Sequence, residues 1–170
     1  MIKSNCIPKL ILISGSPWVG KTTVAEALFE SCENSAYCDG DWLWHVNPFS
    51  LRDPRLRNGD RNISFVLSNY LSSQFEYVIF SSVVLTDELI RESILNGITA
   101  EDYKKIGFTL TCSEETLGER HKARGDDSWC EVNYYWLRLP PDPSDHIIDT
   151  DNKSVLQIVD EIRSIIGERE

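Results

Sequence analysis

Continuous apolar runs alternate along the chain with segments in which apolar residues recur every three or four positions. Residues 10–14 form such a run, which is typical of a strand buried on both faces of a parallel sheet. Four further strands are predicted at 35–39, 77–85, 106–112 and 146–149. We therefore expect five strands, with the periodic segments between and after them.

Those periodic segments predict helices. Residues 61–73 favour an amphipathic helix, because apolar side chains recur there at i, i+3, i+4, i+7 and i+8. Helical spacing also extends over 21–31 and over 155–166. Thr86 and Ser113 each precede two acidic residues, which is typical of a capping residue at a helix start. Strands that alternate with helices predict a parallel sheet covered by helices on both faces.

The acidic composition narrows the partners that we expect. The 170 residues carry a formal net charge of −10, and the pI is near 4.8. Because such a surface repels nucleic-acid phosphates and anionic lipids, we expect neither nucleic acid nor a membrane as partner. Five scattered cysteines without a C-x-x-C pair indicate buried thiols in a reducing cytosol. The expected protein is one cytoplasmic domain, either a monomer or a homodimer.

The segment GSPWVGKTT matches the pattern G-x-x-x-x-G-K-[ST] between a predicted strand and a predicted helix. Its glycines permit backbone angles that point successive N–H groups at an anion, at the positive end of a helix. The lysine reaches the β- and γ-phosphates of a nucleotide, and the following threonine binds Mg²⁺. The sequence therefore predicts ATP and Mg²⁺ as ligands, held by Gly15, Ser16, Pro17, Trp18, Val19, Gly20, Lys21, Thr22 and Thr23.

Two carboxylates, Asp39 and Asp41, follow the second predicted strand. Ligands of an open parallel sheet lie outside the carboxyl ends of its strands, so both carboxylates are expected near the γ-phosphate. One suits a water-bridged Mg²⁺ contact, and the other can accept the proton of an incoming hydroxyl. The alternative is a solvated turn, because Asp and Gly are both favoured in turns.

Five segments of the chain, GSPWVGKTT, DGDWLW, FSSVVLTDELIRESI, ERHKARG and IIDT, together resemble the nucleoside-monophosphate-kinase-like branch of the P-loop kinases. Gluconate kinase, shikimate kinase and chloramphenicol phosphotransferase are the members that they resemble most. The resemblance implies a three-layer α/β sandwich of the P-loop NTPase type, with a five-stranded parallel sheet of order 2-3-1-4-5. It also implies a single kinase domain over 1–170, with a lid near 120–140.

The resemblance also implies roles for individual residues. Asp39 would lie near Mg²⁺ together with Thr22, and Asp41 would bind or deprotonate the acceptor, although the reverse assignment stays open. Arg120 and Arg124, spaced i and i+4, resemble the lid arginines that clamp phosphates. The alternative for them is surface pairing with Glu119 or Asp126. Residues 150–152 would border the adenine, unless Thr150 or Asp151 caps the last helix instead.

Other features depart from the family or stay open. Ser81 and Ser82 stand where nucleoside monophosphate kinases carry an Asp-Gly-x-Pro-Arg-like segment, which disfavours a nucleotide acceptor. A basic run could bind an acceptor anion or be neutralised by Asp53 and Asp60; it contains Arg52, Arg55, Arg57 and Arg61. Four tryptophans could form aromatic walls or pack in the core: Trp42, Trp44, Trp129 and Trp136. We interpret His45 as structural.

The function predicted from the sequence is that of an ATP-dependent small-molecule kinase. It would transfer the γ-phosphoryl group of Mg·ATP to a hydroxyl of a small polar acceptor, and its catalytic residues would be Lys21, Asp41, Arg120 and Arg124. Three alternatives remain: a nucleoside or nucleoside monophosphate kinase, an antibiotic phosphotransferase, and a nucleotide-operated ATPase switch with a protein partner.

Overall fold

Five parallel strands form one sheet in the computed structural model, which describes residues 7–48, 50, 53–125 and 136–167 without the side chain at position 57. The strand order is β2-β3-β1-β4-β5. The strands are β1 (Lys9–Gly15), β2 (Ser35–Asp39), β3 (Tyr77–Ser81), β4 (Lys104–Thr111) and β5 (His146–Asp149). The predicted P-loop sheet of order 2-3-1-4-5 is confirmed.

Helices connect the strands and cover both faces of the sheet. They are α1 (Lys21–Ser31), α2 (Gly40–Leu43), α3 (Arg57–Ser72), α4 (Glu88–Asn96), α5 (Glu114–Arg124) and α6 (Val155–Ile166). Two 3-10 helices, Pro54–Leu56 and Val83–Thr86, precede α3 and α4. Within the described ranges, no helix has both the length and the apolar character needed to cross a bilayer.

The alternating side chains of β1 divide the core into two layers. Ile11 and Ile13 pack with apolar residues of α1 and α6, among them Val24, Leu28, Ile158 and Ile162. Leu10 and Leu12 face the opposite side and pack with α3 and α4, including Ile63, Leu67, Leu71 and Ile94. All four β1 side chains are fully buried, and each such burial contributes about 1.5–3 kcal/mol. This central strand therefore lies between two helical layers, and the loop that follows departs from a buried strand end.

The third strand, α4 and α3 differ from the sequence prediction in ways that concern the site and its surroundings. The third strand ends at Ser81, not at residue 85, because the Ser82 side chain accepts a hydrogen bond from the Val84 N–H and starts a 3-10 helix. Asp87, and not Thr86, caps α4, since its carboxylate accepts from the Ile90 N–H. Helix α3 begins at position 57, one turn before the predicted start at 61.

A buried ion pair anchors the sheet next to the loop that follows β1. The Arg91 guanidinium donates from Nη1 and Nη2 to Asp145 Oδ2 and Oδ1, at 2.9 and 2.6 Å. Thr109 Oγ1 donates to Asp145 Oδ2 at 2.8 Å and lies 2.8 Å from Ser14 Oγ. Ser14 directly precedes the first residue of the GSPWVGKTT loop, so this network fixes the strand end from which the loop departs.

Candidate active site

The loop between β1 and α1 has the backbone shape that its glycines were expected to provide. Gly15 has φ +135°, and a Cβ at this position would lie 2.5 Å from the Leu110 carbonyl oxygen. Gly20 has φ +106° at the N-terminus of α1. Trp18, also at positive φ, packs edge-on against His121 with ring centroids 4.5 Å apart. The loop therefore curls around the positive end of α1, where an anion is favoured.

Lys21 lies across this loop, with Nζ donating to the Ser16 carbonyl at 2.7 Å. Burial lowers the pKa of Lys21 to about 8, against the opposing effect of the Asp41 and Asp39 carboxylates. The positive charge of Arg124 lowers this pKa further. The charges of Asp39, Asp41 and Arg124 therefore all lie close enough to Lys21 to affect its pKa.

Thr22 and Asp39 bring two oxygen ligands together beside the loop. Thr22 Oγ1 donates to Asp39 Oδ2 at 3.1 Å, and Asp39 is 5% exposed. Asp39 Oδ1 accepts from the Asp41 N–H at 2.9 Å, which caps α2. A hydroxyl and a carboxylate next to a phosphate-binding loop suit Mg²⁺, which prefers a few hard oxygen ligands and completes its shell with phosphates and water. The predicted metal pair therefore fits this ion.

Asp41 lies at the same edge of the sheet, one residue after Gly40. A Cβ on Gly40 would collide with the Ser82 side chain, so only glycine allows α2 to start this close to the end of β3. Asp41 keeps contact with solvent, but the surrounding protein removes part of its hydration and raises its pKa. The negative charge of Asp39 adds to this increase, and Lys21 and Arg124 oppose it. A raised pKa makes this carboxylate a better proton acceptor.

The two lid-type arginines occupy different environments. Arg120 Nη1 donates to the Val19 carbonyl at 2.7 Å and to Thr150 Oγ1 at 2.9 Å, and Nη2 donates to the Thr150 carbonyl at 3.3 Å. Arg120 thereby joins the phosphate loop to the turn after β5. Arg124, one helical turn later, is exposed and close enough to Lys21 and Asp41 to affect both pKa values.

A comparison with protein families identifies the family to which this chain belongs. The sequence matches the family AAA_18, described as an AAA domain, over residues 11–133, which is well over half of the chain. The chain belongs to this family. A comparison with curated proteins gives no match.

Solved structures share the fold of this AAA domain over nearly its whole length. A gluconokinase from Sinorhizobium meliloti 1021 is 22% identical, with a TM-score of 0.68 and coverage of 92% of this chain and 90% of the gluconokinase. The tunicamycin resistance protein of Deinococcus radiodurans is 18% identical, with a TM-score of 0.68 and coverage of 95% and 97%. The Mycobacterium tuberculosis APS kinase, in complex with AMPPNP and APS, is 14% identical, with a TM-score of 0.68 and coverage of 96% and 99%. These matches establish the P-loop kinase fold.

Two interpretations were open for the turn after β5 of the AAA domain, adenine contact and capping of the last helix, and the structure contradicts the second. Thr150 is buried and donates to the Thr111 carbonyl at 3.0 Å, and Asp151 accepts from the Ser113 N–H at 2.9 Å. Neither caps α6; Ser154 does, in a capping box with Gln157. The capping interpretation of Thr150 or Asp151 is therefore wrong, whereas adenine contact at 150–152 stays a prediction.

The tryptophans of the AAA domain divide between core and surface. Asp39 starts a short helix at Gly40, and Trp42 and Trp44 point in different directions, one exposed and the other buried. Trp42 is 60% exposed and packs edge-on against Tyr37, at 5.5 Å between ring centroids. Trp44 and Trp136 are buried in the α3–α4 layer, as the core interpretation predicted. Trp129 lies outside the described residues, as do Asp126 and the other lid positions from 126 to 135.

The basic run at the start of α3 is partly neutralised. Arg55 Nη2 lies 2.6 Å from Asp53 Oδ2, and this hydrogen-bonded pair lowers the pKa of Asp53. Arg61 and His45 are exposed. Arg52 and the Arg57 side chain lie outside the described residues. For Arg55 the geometry agrees with a neutralised surface loop.

Proposed function

We propose that this protein is a kinase that transfers the γ-phosphoryl group of Mg·ATP to a hydroxyl of a small polar acceptor. The observation that carries the proposal is the pairing of Thr22 with Asp39 beside the phosphate loop, with a second carboxylate, Asp41, two residues further along the chain. The P-loop kinase fold of the similar structures supports a phosphotransferase. The presence of two carboxylates at the sheet edge favours a transfer reaction over simple nucleotide binding.

The phosphate loop and Lys21 would hold the nucleotide phosphates. The loop N–H groups and the N-terminus of α1 stabilise negative charge, and Lys21 adds a positive charge beside them. Thr22 and Asp39 would hold Mg²⁺, whose chemistry is to neutralise charge on the phosphate oxygens. Arg120 keeps the Val19 carbonyl in place, and Arg124 contributes further positive charge near Lys21.

Asp41 would act as the general base. The acceptor oxygen forms a bond to the γ-phosphorus, the bond from that phosphorus to the ADP oxygen breaks, and the acceptor proton moves to the Asp41 carboxylate. The raised pKa of Asp41 brings its basicity closer to neutral pH. Its solvent access leaves room for an acceptor.

The alternatives differ in the acceptor that they require. A monophosphate acceptor is disfavoured, because Arg55 already pairs with Asp53 and because β3 ends at Ser81 and is followed by Ser82. An antibiotic acceptor is the second candidate, favoured by the exposed Trp42 indole next to Asp41. A nucleotide-operated switch would hydrolyse ATP under the control of a protein partner and phosphorylate no small molecule.

The test is a mass-spectrometric screen for ATP-dependent phosphorylation of sugar acids, nucleosides, nucleotides and antibiotics. With the acceptor found, Asp41→Asn should lower kcat by about 10²–10⁴-fold and change ATP affinity little, because the proton acceptor is lost while the phosphate loop is kept. Asp160→Asn, at an exposed position of α6, is the matched control and should keep full activity. Full activity of Asp41→Asn would exclude this residue as the base. Partner-stimulated ATP hydrolysis without a phosphorylated product would overturn the kinase assignment.

A further inference from the structure

Two hydroxyl groups without a role in the proposed reaction lie next to the Asp39 carboxylate. Tyr37 Oη donates to Asp39 Oδ2 at 2.9 Å, and Ser81 Oγ lies 2.9 Å from Tyr37 Oη and 3.5 Å from Asp39 Oδ2. Tyr37 precedes Asp39 by two positions on β2, so both side chains emerge on one face of the sheet. Ser81 is paired with Asp39 in the register between β2 and β3.

The direction of these hydrogen bonds follows from the chemistry of the groups. An ionised carboxylate accepts hydrogen bonds and cannot donate them, so the Tyr37 proton points to Asp39. A phenol has one proton, and therefore Ser81 must be the donor in its 2.9 Å contact with Tyr37. The result is a chain of donors that runs from Ser81 through Tyr37 to the Asp39 carboxylate.

This chain completes the set of contacts that hold Asp39. Asp39 Oδ1 accepts from the Asp41 N–H, and Oδ2 accepts from Thr22 and Tyr37. The Thr22 oxygen can bind a cation through its lone pairs while its O–H still donates to Asp39. Partners of this kind orient metal ligands in other proteins, and their loss weakens metal binding. Asp39 and Ser81 are both buried, so water has little access to replace a lost hydroxyl.

We propose that Tyr37 is a positioning residue for the cation-binding carboxylate Asp39, and that Ser81 acts through Tyr37. The inference rests on the proposed function, because it assumes that Thr22 and Asp39 bind the metal of a nucleotide complex. The phenol ring has a separate packing role between Phe29 and Trp42, with ring centroids at 6.2 and 5.5 Å. Tyr37→Phe keeps this packing and removes only the hydroxyl.

The experiment measures binding of Mn²⁺, a spectroscopic substitute for Mg²⁺, to the full-length protein saturated with AMPPNP, by electron paramagnetic resonance. Tyr37→Phe should weaken Mn²⁺ binding about tenfold. Its affinity for AMPPNP in EDTA should stay within about twofold of wild type, because the loop and Lys21 are unchanged. Tyr70→Phe is the matched control, since Tyr70 is a half-buried tyrosine on α3 that packs on Phe75.

Ser81→Ala tests the second part of the proposal. It should weaken Mn²⁺ binding about threefold, because it removes one donor from the chain. The double variant should bind Mn²⁺ no more weakly than Tyr37→Phe alone, since Ser81 would act only through the phenol. If the double variant loses Mn²⁺ affinity by the product of the two single-variant factors, Ser81 does not act through Tyr37.

The outcomes separate the inference from the proposed function. Wild-type Mn²⁺ affinity in Tyr37→Phe would overturn the positioning role while leaving the kinase proposal intact. An equal loss of metal-free AMPPNP binding in this variant would show general damage and would also overturn the role. If the wild-type protein with AMPPNP binds no Mn²⁺, the metal site fails, and both proposals fail with it.

Discussion

The lowered pKa of Lys21 predicts that nucleotide binding weakens steeply above neutral pH. Burial lowers this pKa from 10.5 to about 8. Only the protonated amine attracts phosphate, so affinity is full below this pKa and is lost as the pH rises through it. The charged fraction falls from about 90% at pH 7 to about 10% at pH 9, so the dissociation constant should rise about tenfold. A lysine with an ordinary pKa would show almost no change over this range.

Calorimetry with ADP in EDTA tests this prediction without a metal or an acceptor. Phosphate groups have a second pKa near 6, so proton uptake at pH 8 and above belongs to the protein. Titrations in two buffers with different heats of ionisation report the protons taken up per ADP bound. Binding at pH 8 should take up about half a proton, because about half of the Lys21 side chains must be recharged.

Lys21→Arg is the control, since a guanidinium stays charged throughout this range. It should bind ADP more weakly than lysine does at pH 7, because its planar fork does not fit the same position, but its affinity should not depend on pH. Wild-type affinity that is constant between pH 7 and 9 would refute the reasoning. If Lys21→Arg loses ADP affinity between pH 7 and 9 as the wild type does, the group that takes up the proton is not Lys21.

Two further substitutions test the supports of the site. Arg120→Lys should raise the KM for ATP about tenfold in steady-state kinetics. The reason is that one ammonium group cannot hold both Val19 and Thr150. An unchanged KM would contradict this prediction. Gly107→Ala should lower the free energy of unfolding by about 3–5 kcal/mol in urea, because the added Cβ displaces the buried Asp145–Arg91 pair. Gly118→Ala, with open space around it, should instead add about 0.5–1 kcal/mol; equal effects would contradict the packing argument.

The phosphate loop and the alternation of strands with helices could be predicted because their signals are local or periodic, whereas the strand order followed only from the resemblance to the P-loop kinases. The spacing of Gly15, Gly20 and Lys21 defines the loop within nine residues, and β2 and β5 have the predicted bounds. The pair Tyr37–Asp39 was missed, although residues two apart on a strand share a face. That spacing was a usable signal, but it does not show that the phenol reaches the carboxylate.

Other contacts depend on the folded arrangement and carry no local signal. Arg91 and Asp145 are 54 positions apart, and Gly107 between them permits their contact. The cap of α4 was assigned one residue too early, because Thr86 and Asp87 both favour capping and only backbone geometry chooses between them. Likewise, the separation of Trp42 from Trp44 follows from the start of α2 at Gly40, which Asp39 determines by capping.

The same capping contact favours one division of labour between the two aspartates. Asp39 is buried, and its oxygens already accept from Thr22, Tyr37 and the Asp41 N–H. A carboxylate held in this way is fixed in orientation beside the Thr22 hydroxyl, as a ligand of a cation needs to be. Asp41 reaches solvent and has a raised pKa, as a base needs. With the roles exchanged, the base would be Asp39, which is buried and which an acceptor can hardly approach. The arrangement therefore favours Asp39 as the metal ligand and Asp41 as the proton acceptor.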